Sequence, residues 1–290
     1  MGAYLGIETG GTSIRARLID QSGRPLRNDT WPTTTGAAAI SAITEFAARD
    51  NIAGIGVAAF GPICVDPSSD DYGVVGRTPK PGWCGTNLYR ALTDALDAPV
   101  MVDTDVNAAA LAERLSGAGK GLKSLAYVTV GTGIGAGLAT AEGTLKGALH
   151  PEMGHVPLRR AEGDHFESVC PFHADCVEGL ASGTAIAARL GANTTLGTSP
   201  ETLNLIARYF AQLAFTITLA WSPHAIVIGG GVLNTVGLLD AIRTHFTQAI
   251  GDYGLGPAVM DADFLRPPAL SSPGLEGALL MARAAGGATP

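Results

Sequence analysis

Two strand-like runs in this chain break at a glycine turn and resume as a second strand, and they lie about 120 residues apart. In the first, YLGIETGGTSIRARLID (residues 4–20), an apolar run reaches Gly10 and Gly11, after which Ile14, Ala16 and Leu18 alternate with Ser13, Arg15 and Arg17. Alternation of period two marks a half-buried strand returning along its predecessor. The second, LAYVTVGTGIGAGLAT (125–140), repeats the order strand, Gly/Thr turn, strand. Two equivalent hairpins in 290 residues point to a duplicated α/β lobe, each copy with its own core.

The remaining segments fit such lobes. IAGIGVAAF (52–60) reads as a buried strand, ALTDAL (91–96) as part of a helix, VMVD (100–103) as a short strand and NAAALAERL (107–115) as a helix. A long apolar helix over 201–221 leads into PHAIVIGGG (223–231), a strand closing on three glycines, and GLEGALLMARA (274–284) is helical by content. The Pro/Gly/Ser patches at 66–87 and 191–200 read as loops.

Composition narrows the function. A formal charge of −7 and a pI near 5.3, with Lys and Arg scattered, argue against a nucleic-acid footprint. No apolar run approaches the ~18 residues of a membrane span. MGAYLGIETGG has no secretory pattern, so a cytoplasmic location is expected. Small anions must then be held by local backbone groups. Four cysteines under reducing conditions point to metal binding or burial rather than disulfides.

Glycine turns at strand ends suit phosphate binding, because without side chains the backbone N–H groups can approach an anion. The P-loop pattern GxxxxGK[ST] is absent. GTGIGA (131–136) matches part of a dinucleotide fingerprint, but GLATAEG follows where a helix is required. Two facing glycine hairpins are instead the arrangement of the two-lobed fold shared by sugar kinases, actin and heat-shock ATPases, built on duplicated ribonuclease H-like lobes. The expected lobes are 1–116 with 273–290, and 117–272.

VCPFHADC (169–176) sets Cys170, His173 and Cys176 in a C-x2-H-x2-C run, three zinc ligands from one loop. His155 is the natural fourth ligand and His165 its rival; plain buried thiols are the alternative. Cys64 and Cys84 have no such neighbours. In VDTDVN (102–107) a short strand gives way to a helix, where a side chain can face a cleft. Asp103 and Asp105 are both candidates for a base there, and Asp105 can equally cap the helix.

ETGGT (8–12), DTDVN (103–107), GTGIG (131–135), PEMGH (151–155), the Cys/His cluster and IGGG (228–231) stand in the order of the ROK family of bacterial sugar kinases. The chain resembles that family across most of its length, and its fructokinase members most. The resemblance implies an ATP-dependent hexose kinase, with D-fructose the expected acceptor and mannose, glucose or an N-acylated hexosamine the alternatives. It implies Asp105 as general base and His155 as fourth ligand of a structural Zn2+. It also implies Asn107, Glu152, His155 and Glu178 at the sugar, with a solvated loop acid the other reading of Glu178. Gly10, Gly11, Thr12, Thr132 and Gly133 would cradle the phosphates of ATP, with Gly183, Gly230 and Gly231 near the nucleoside. Glu8, in place of the usual Asp, would hold Mg2+ through water. Thr104 replaces an Asn of the glucokinase members, which weakens the glucose reading. Trp83, in PKPGW (79–83), either packs on the sugar ring or belongs to the core. A homodimer is expected by resemblance. A non-catalytic sugar-binding regulator is the reading from a different class, disfavoured by the presence of Asp105 and both turns.

Overall fold

Strand β1 (Ala3–Thr9) carries an unbroken apolar run, and it sits in the middle of a sheet. This computed structural model describes residues 2–288. The chain divides into two units: Met1–Ala112 with Glu142–His150 and Leu270–Pro290, and Glu113–Ala141 with Pro151–Ala269.

In the first unit β2 (Ser13–Ile19) pairs antiparallel with β1, setting Leu5 opposite Leu18 and Ile7 opposite Ala16. β3 (Pro25–Pro32) adds an exposed outer strand. On the other side of β1, β4 (Ile52–Ala59) and β5 (Val100–Thr104) run parallel, giving the order β3-β2-β1-β4-β5. Leu5, Ile7, Ile55 and Val57 point to one face and form a core with Ile43 of α1 (Gly36–Ala47) and Leu92 of α2 (Leu88–Leu96).

The alternate positions, Gly6, Gly54 and Gly56, face α8 (Pro273–Ala285). A Cβ at Gly54 would lie 2.2 Å from the Ala282 carbonyl oxygen, and one at Gly56 only 1.9 Å from that of Ala278. Glycine at these strand positions lets the helix backbone lie against the sheet, which brings the chain's last helix back to the first unit. On its other side, α8 touches α3 (Asp105–Ser116) at Gly277, where a Cβ would meet the Ala108 carbonyl oxygen at 2.0 Å.

The second unit repeats the scheme. β6 (Leu125–Val130) and β7 (Ile134–Ala139) form the hairpin, and β8 (Ile226–Gly229) and β9 (Leu265–Arg266) follow parallel, in the order β7-β6-β8-β9. In both sheets the first hairpin strand is internal and its later neighbours are parallel, the α/β architecture expected of duplicated lobes. α6 (Pro200–Trp221) packs with α7 (Leu238–Ile250) over this sheet. By length and composition alone α6 could cross a membrane, which the sequence reading did not anticipate. Its Ile206, Phe210, Leu213 and Ile217 are buried in the unit's core, so it is accounted for as a core helix.

Most expected strands and helices lie within a few residues of their reading. Helices α1 and α7, the short helices at 177–181 and 183–190, and strands β3 and β9 were not foreseen. Nor was the attachment of 142–150 to the first unit, which side-chain contacts with the β5–α3 turn bring about.

Candidate active site

The tip of the first hairpin is closed by the Gly10 N–H donating to the Ser13 carbonyl at 2.8 Å. A Cβ on Gly10 would lie 2.9 Å from that same carbonyl oxygen, so a side chain there would crowd the turn. Thr33, just past β3, fastens the tip from outside: its hydroxyl donates to the Gly10 carbonyl at 2.8 Å and its N–H to that of Thr12 at 3.0 Å. Gly11 and Thr12 are exposed. Glu8, one residue before the end of β1, holds Arg15 of β2 at 2.6 Å, and its other oxygen faces Gly274 at the start of α8. The helix N-terminus favours the carboxylate there.

At the β5–α3 turn the two candidate aspartates separate. Asp103 is buried: Oδ1 accepts from the Thr104 N–H and the Asn107 amide, both at 2.8 Å, and Oδ2 accepts from the Thr144 hydroxyl at 2.5 Å and Lys146 Nζ at 3.2 Å. Asp103 is therefore the anchor for the segment 142–150. Thr104 caps α3, its hydroxyl accepting from the Asn107 N–H at 3.1 Å, so the capping role considered for Asp105 belongs to Thr104. Asp105 is partly exposed, and its Oδ1 accepts from the neighbouring Val106 N–H at 2.9 Å. Asn107 is wholly buried and its amide also donates to the Leu145 carbonyl at 3.1 Å.

The second hairpin gathers more groups around its tip. Its peptide at Ile134 is clasped from two sides: Glu178 of α4 (Val177–Ala181) accepts from the N–H at 2.9 Å, while Gly154 packs so close that a Cβ would lie 2.0 Å from the carbonyl oxygen. Gly183, first residue of α5 (Gly183–Leu190), donates to the Gly131 carbonyl at 2.8 Å, and Thr184 donates to that of Thr132 at 2.9 Å. Gly230 has φ +95° and a Cβ there would meet Val130, so only glycine lets β8 end against the same hairpin. Thr132 and Gly231 are exposed at this end of the sheet, as is Glu152 in the turn before Gly154.

Beside that turn, one ligand atom from each of His155, Cys170, His173 and Cys176 falls within 4.8 Å of the others. Cys170 Sγ lies 3.8 Å from His155 Nδ1 and 3.7 Å from His173 Nδ1. A zinc tetrahedron with Zn–S of ~2.3 Å and Zn–N of ~2.1 Å has edges of about 3.6 Å, so the donor set and its spacing fit that ion. His165 lies outside the group. With protons alone, burial pushes the Cys176 thiol up to about 11. The loop bearing the cysteines has little regular structure. Arg160 ties it to Asp175 and to the Phe166 and Ala174 carbonyls, and the buried Arg189–Asp164 pair, 2.8 Å apart, closes it against Tyr209 of α6.

The ROK family profile matches residues 4–285. The chain belongs to the ROK family. A fructokinase of Zymomonas mobilis is 38% identical over 289 residues, covering 96% of this chain and 96% of that one. A fructokinase of Pediococcus pentosaceus is 35% identical over 281 residues, covering 96% and 97%. The crystal structure of the ROK hexokinase from Thermus thermophilus superposes with a TM-score of 0.78 at 28% identity, covering 97% of this chain and 98% of that one. The fold is thus that of ROK sugar kinases.

Within this ROK chain Trp83 is fully buried against Phe60, 4.8 Å between ring centroids, with its indole N–H donating to the Thr34 carbonyl at 2.9 Å. Of its two readings the core one holds. Cys64 and Cys84 are free thiols outside the cluster. Sequence reasoning passed over Thr144, Lys146 and His150, whose Nε2 accepts from the Ile63 N–H at 3.2 Å. No local pattern tied them to the β5–α3 turn or to Ile63.

Proposed function

We propose that this ROK sugar kinase transfers the γ-phosphoryl group of ATP to D-fructose, forming D-fructose 6-phosphate and ADP. The observation that carries the chemistry is the division of labour at the β5–α3 turn. Asp103 is buried among four donors, whereas Asp105 is partly exposed at the start of a helix. Fructose is chosen on the near-full-length likeness to proteins named fructokinase. Thr104, buried as a helix cap, is consistent with an acceptor other than glucose.

In this reading Asp105 takes the proton of the acceptor hydroxyl as its oxygen bonds to the γ-phosphorus. The bond from that phosphorus to the bridging oxygen breaks, and ADP leaves with the electron pair. Backbone N–H groups at Gly11, Thr12, Thr132 and Gly133 hold phosphates; Gly10, whose own N–H is spent closing the turn onto Ser13, shapes that cradle, and Gly183, Gly230 and Gly231 border the nucleoside. Glu8, paired with Arg15, is the carboxylate of the first hairpin that would hold Mg2+. Magnesium supplies charge neutralisation at the phosphates. Glu152, His155 and Glu178 serve the sugar side; Asn107, expected there too, is wholly buried with its amide donating to Asp103 and to the Leu145 carbonyl, and instead fixes the turn that presents Asp105. His155, Cys170, His173 and Cys176 would hold zinc, and their shared ligation would brace the turn bearing Glu152. The enzyme works as a cytoplasmic homodimer.

A coupled ADP-release assay across fructose, mannose, glucose and N-acetylhexosamines tests this, with fructose expected to give the highest kcat/KM. Preference for another of these sugars replaces the substrate assignment. ADP release that no sugar stimulates leaves a sugar-binding protein without kinase activity.

A further inference from the structure

Lys80 has no part in the reading above. It lies in the first unit between Pro79 and Pro81, whose fixed φ angles stiffen the loop, and Trp83 buries that loop's far end against Phe60. The Lys80 ammonium donates to the Gly11 carbonyl at 2.6 Å, at the tip of the glycine hairpin, and stands 5.1 Å from the centre of the Phe60 ring. Among the described residues no carboxylate forms an ion pair with it. A carbonyl and an aromatic face offset only part of a full positive charge that has lost some of its water. Burial accordingly pushes the Lys80 pKa below its ordinary 10.5.

Gly11 adds an independent observation. Its φ is not among the positive ones, so left-handed backbone does not require glycine there. The one protein atom beyond its chain neighbours that a Cβ would approach within 4 Å is Lys80 Nζ, at 3.6 Å. The missing side chain thus leaves the ammonium uncovered on the side of the exposed hairpin tip. A fixed cation with no carboxylate partner, opened by a glycine among backbone N–H groups, is a site for an anion.

We propose that Lys80 is a catalytic residue of phosphoryl transfer, its ammonium binding the γ-phosphoryl group at the first glycine hairpin. It offsets the negative charge on the equatorial oxygens as the bond to ADP lengthens. This rests on the kinase reading. Lys80 keeps its proton throughout; the acceptor's proton goes to Asp105 and the electron pair of the broken bond to ADP.

The test uses the full chain with Lys80→Met, Lys80→Arg and Lys80→Gln. The glutamine variant keeps an N–H donor for the Gly11 carbonyl and so guards against loss of the loop. With whichever sugar the wild type turns over best, Met and Gln are expected to lower kcat by roughly 10²–10³, the scale of losing one preorganised donor at the transition state. Arg is expected to recover part of the rate. Calorimetric titration should show Lys80→Gln weakening the non-hydrolysable ATP analogue AMP-PNP at least about tenfold while ADP changes by less than about twofold, since only the former carries a γ-phosphoryl group. Equal weakening of both nucleotides, or a kcat for Lys80→Gln within about threefold of wild type, overturns the assignment while leaving the kinase reading intact. Wild-type protein that binds neither nucleotide overturns both.

Discussion

Glu178 accepts a hydrogen bond from the Ile134 N–H at 2.9 Å, and a Cβ on the adjacent Gly133 would lie 2.6 Å from the same carboxylate oxygen. The charge of α4 is thereby fixed under the tip of the second hairpin. A carboxylate in that position shapes the turn whatever it also offers a sugar. Glu178→Ala should raise KM for ATP as well as for the sugar and lower stability by about 1.5–3 kcal/mol, the range for hydrogen bonds to charged groups. Glu178→Gln, which retains an acceptor, should hold the ATP KM near wild type and lower chiefly sugar turnover. Separate KM determinations check both.

The β5–α3 turn makes a contrasting pair of predictions. Asp105→Asn should lower kcat by roughly 10²–10⁴, as expected for loss of a general base, with the melting temperature and nucleotide binding little changed. Asp103→Asn should act first on stability, by about 1–3 kcal/mol, because Lys146 and the Thr144 hydroxyl lose a charged acceptor at a buried site. Thermal melts beside steady-state rates separate the two outcomes. A full-rate Asp105→Asn enzyme would remove the base from the mechanism.

For the Cys/His cluster, metal analysis of purified protein should return about one zinc per chain, since one ligand atom from each of the four residues lies within 4.8 Å of the others, a spacing and donor set that suit that ion. Cys170→Ser and His173→Ala should each lose the metal and melt at lower temperature. His165→Ala should keep it. Zinc retained in full by His173→Ala would refute this ligand set.

Acid should loosen the second unit through Asp164. Hydrogen bonds from Arg189, with further ones from Tyr209 and the Phe166 N–H, hold its carboxyl well below the usual 3.8. A carboxyl depressed on folding stabilises fully above its unfolded value, near 4, and that contribution fades as pH falls from there toward the lower folded value. Denaturant midpoints followed from pH 6 downward should therefore drop below about pH 4 in wild type. Asp164→Asn, which leaves Arg189 buried without its partner, should be less stable by about 3–5 kcal/mol at neutral pH and show a shallower acid slope.

The amino-acid order alone determined the two strand–glycine–strand hairpins, part of the strands and helices that follow them, the Cys170–His173–Cys176 spacing, and a pair of aspartates where a strand meets a helix. These features are local: alternation, glycine at turns and ligand spacing are set by neighbours within a few residues. Tertiary structure decided which aspartate is anchored, that Thr104 rather than Asp105 caps α3, and that His155 rather than His165 joins the cysteines. It also decided that Trp83 is core, that Glu142–His150 joins the first unit, and that Lys80 rests on Gly11. Each of these turns on a partner tens of residues distant or more, or on competition between chemically equivalent side chains, and composition and periodicity contain no record of either.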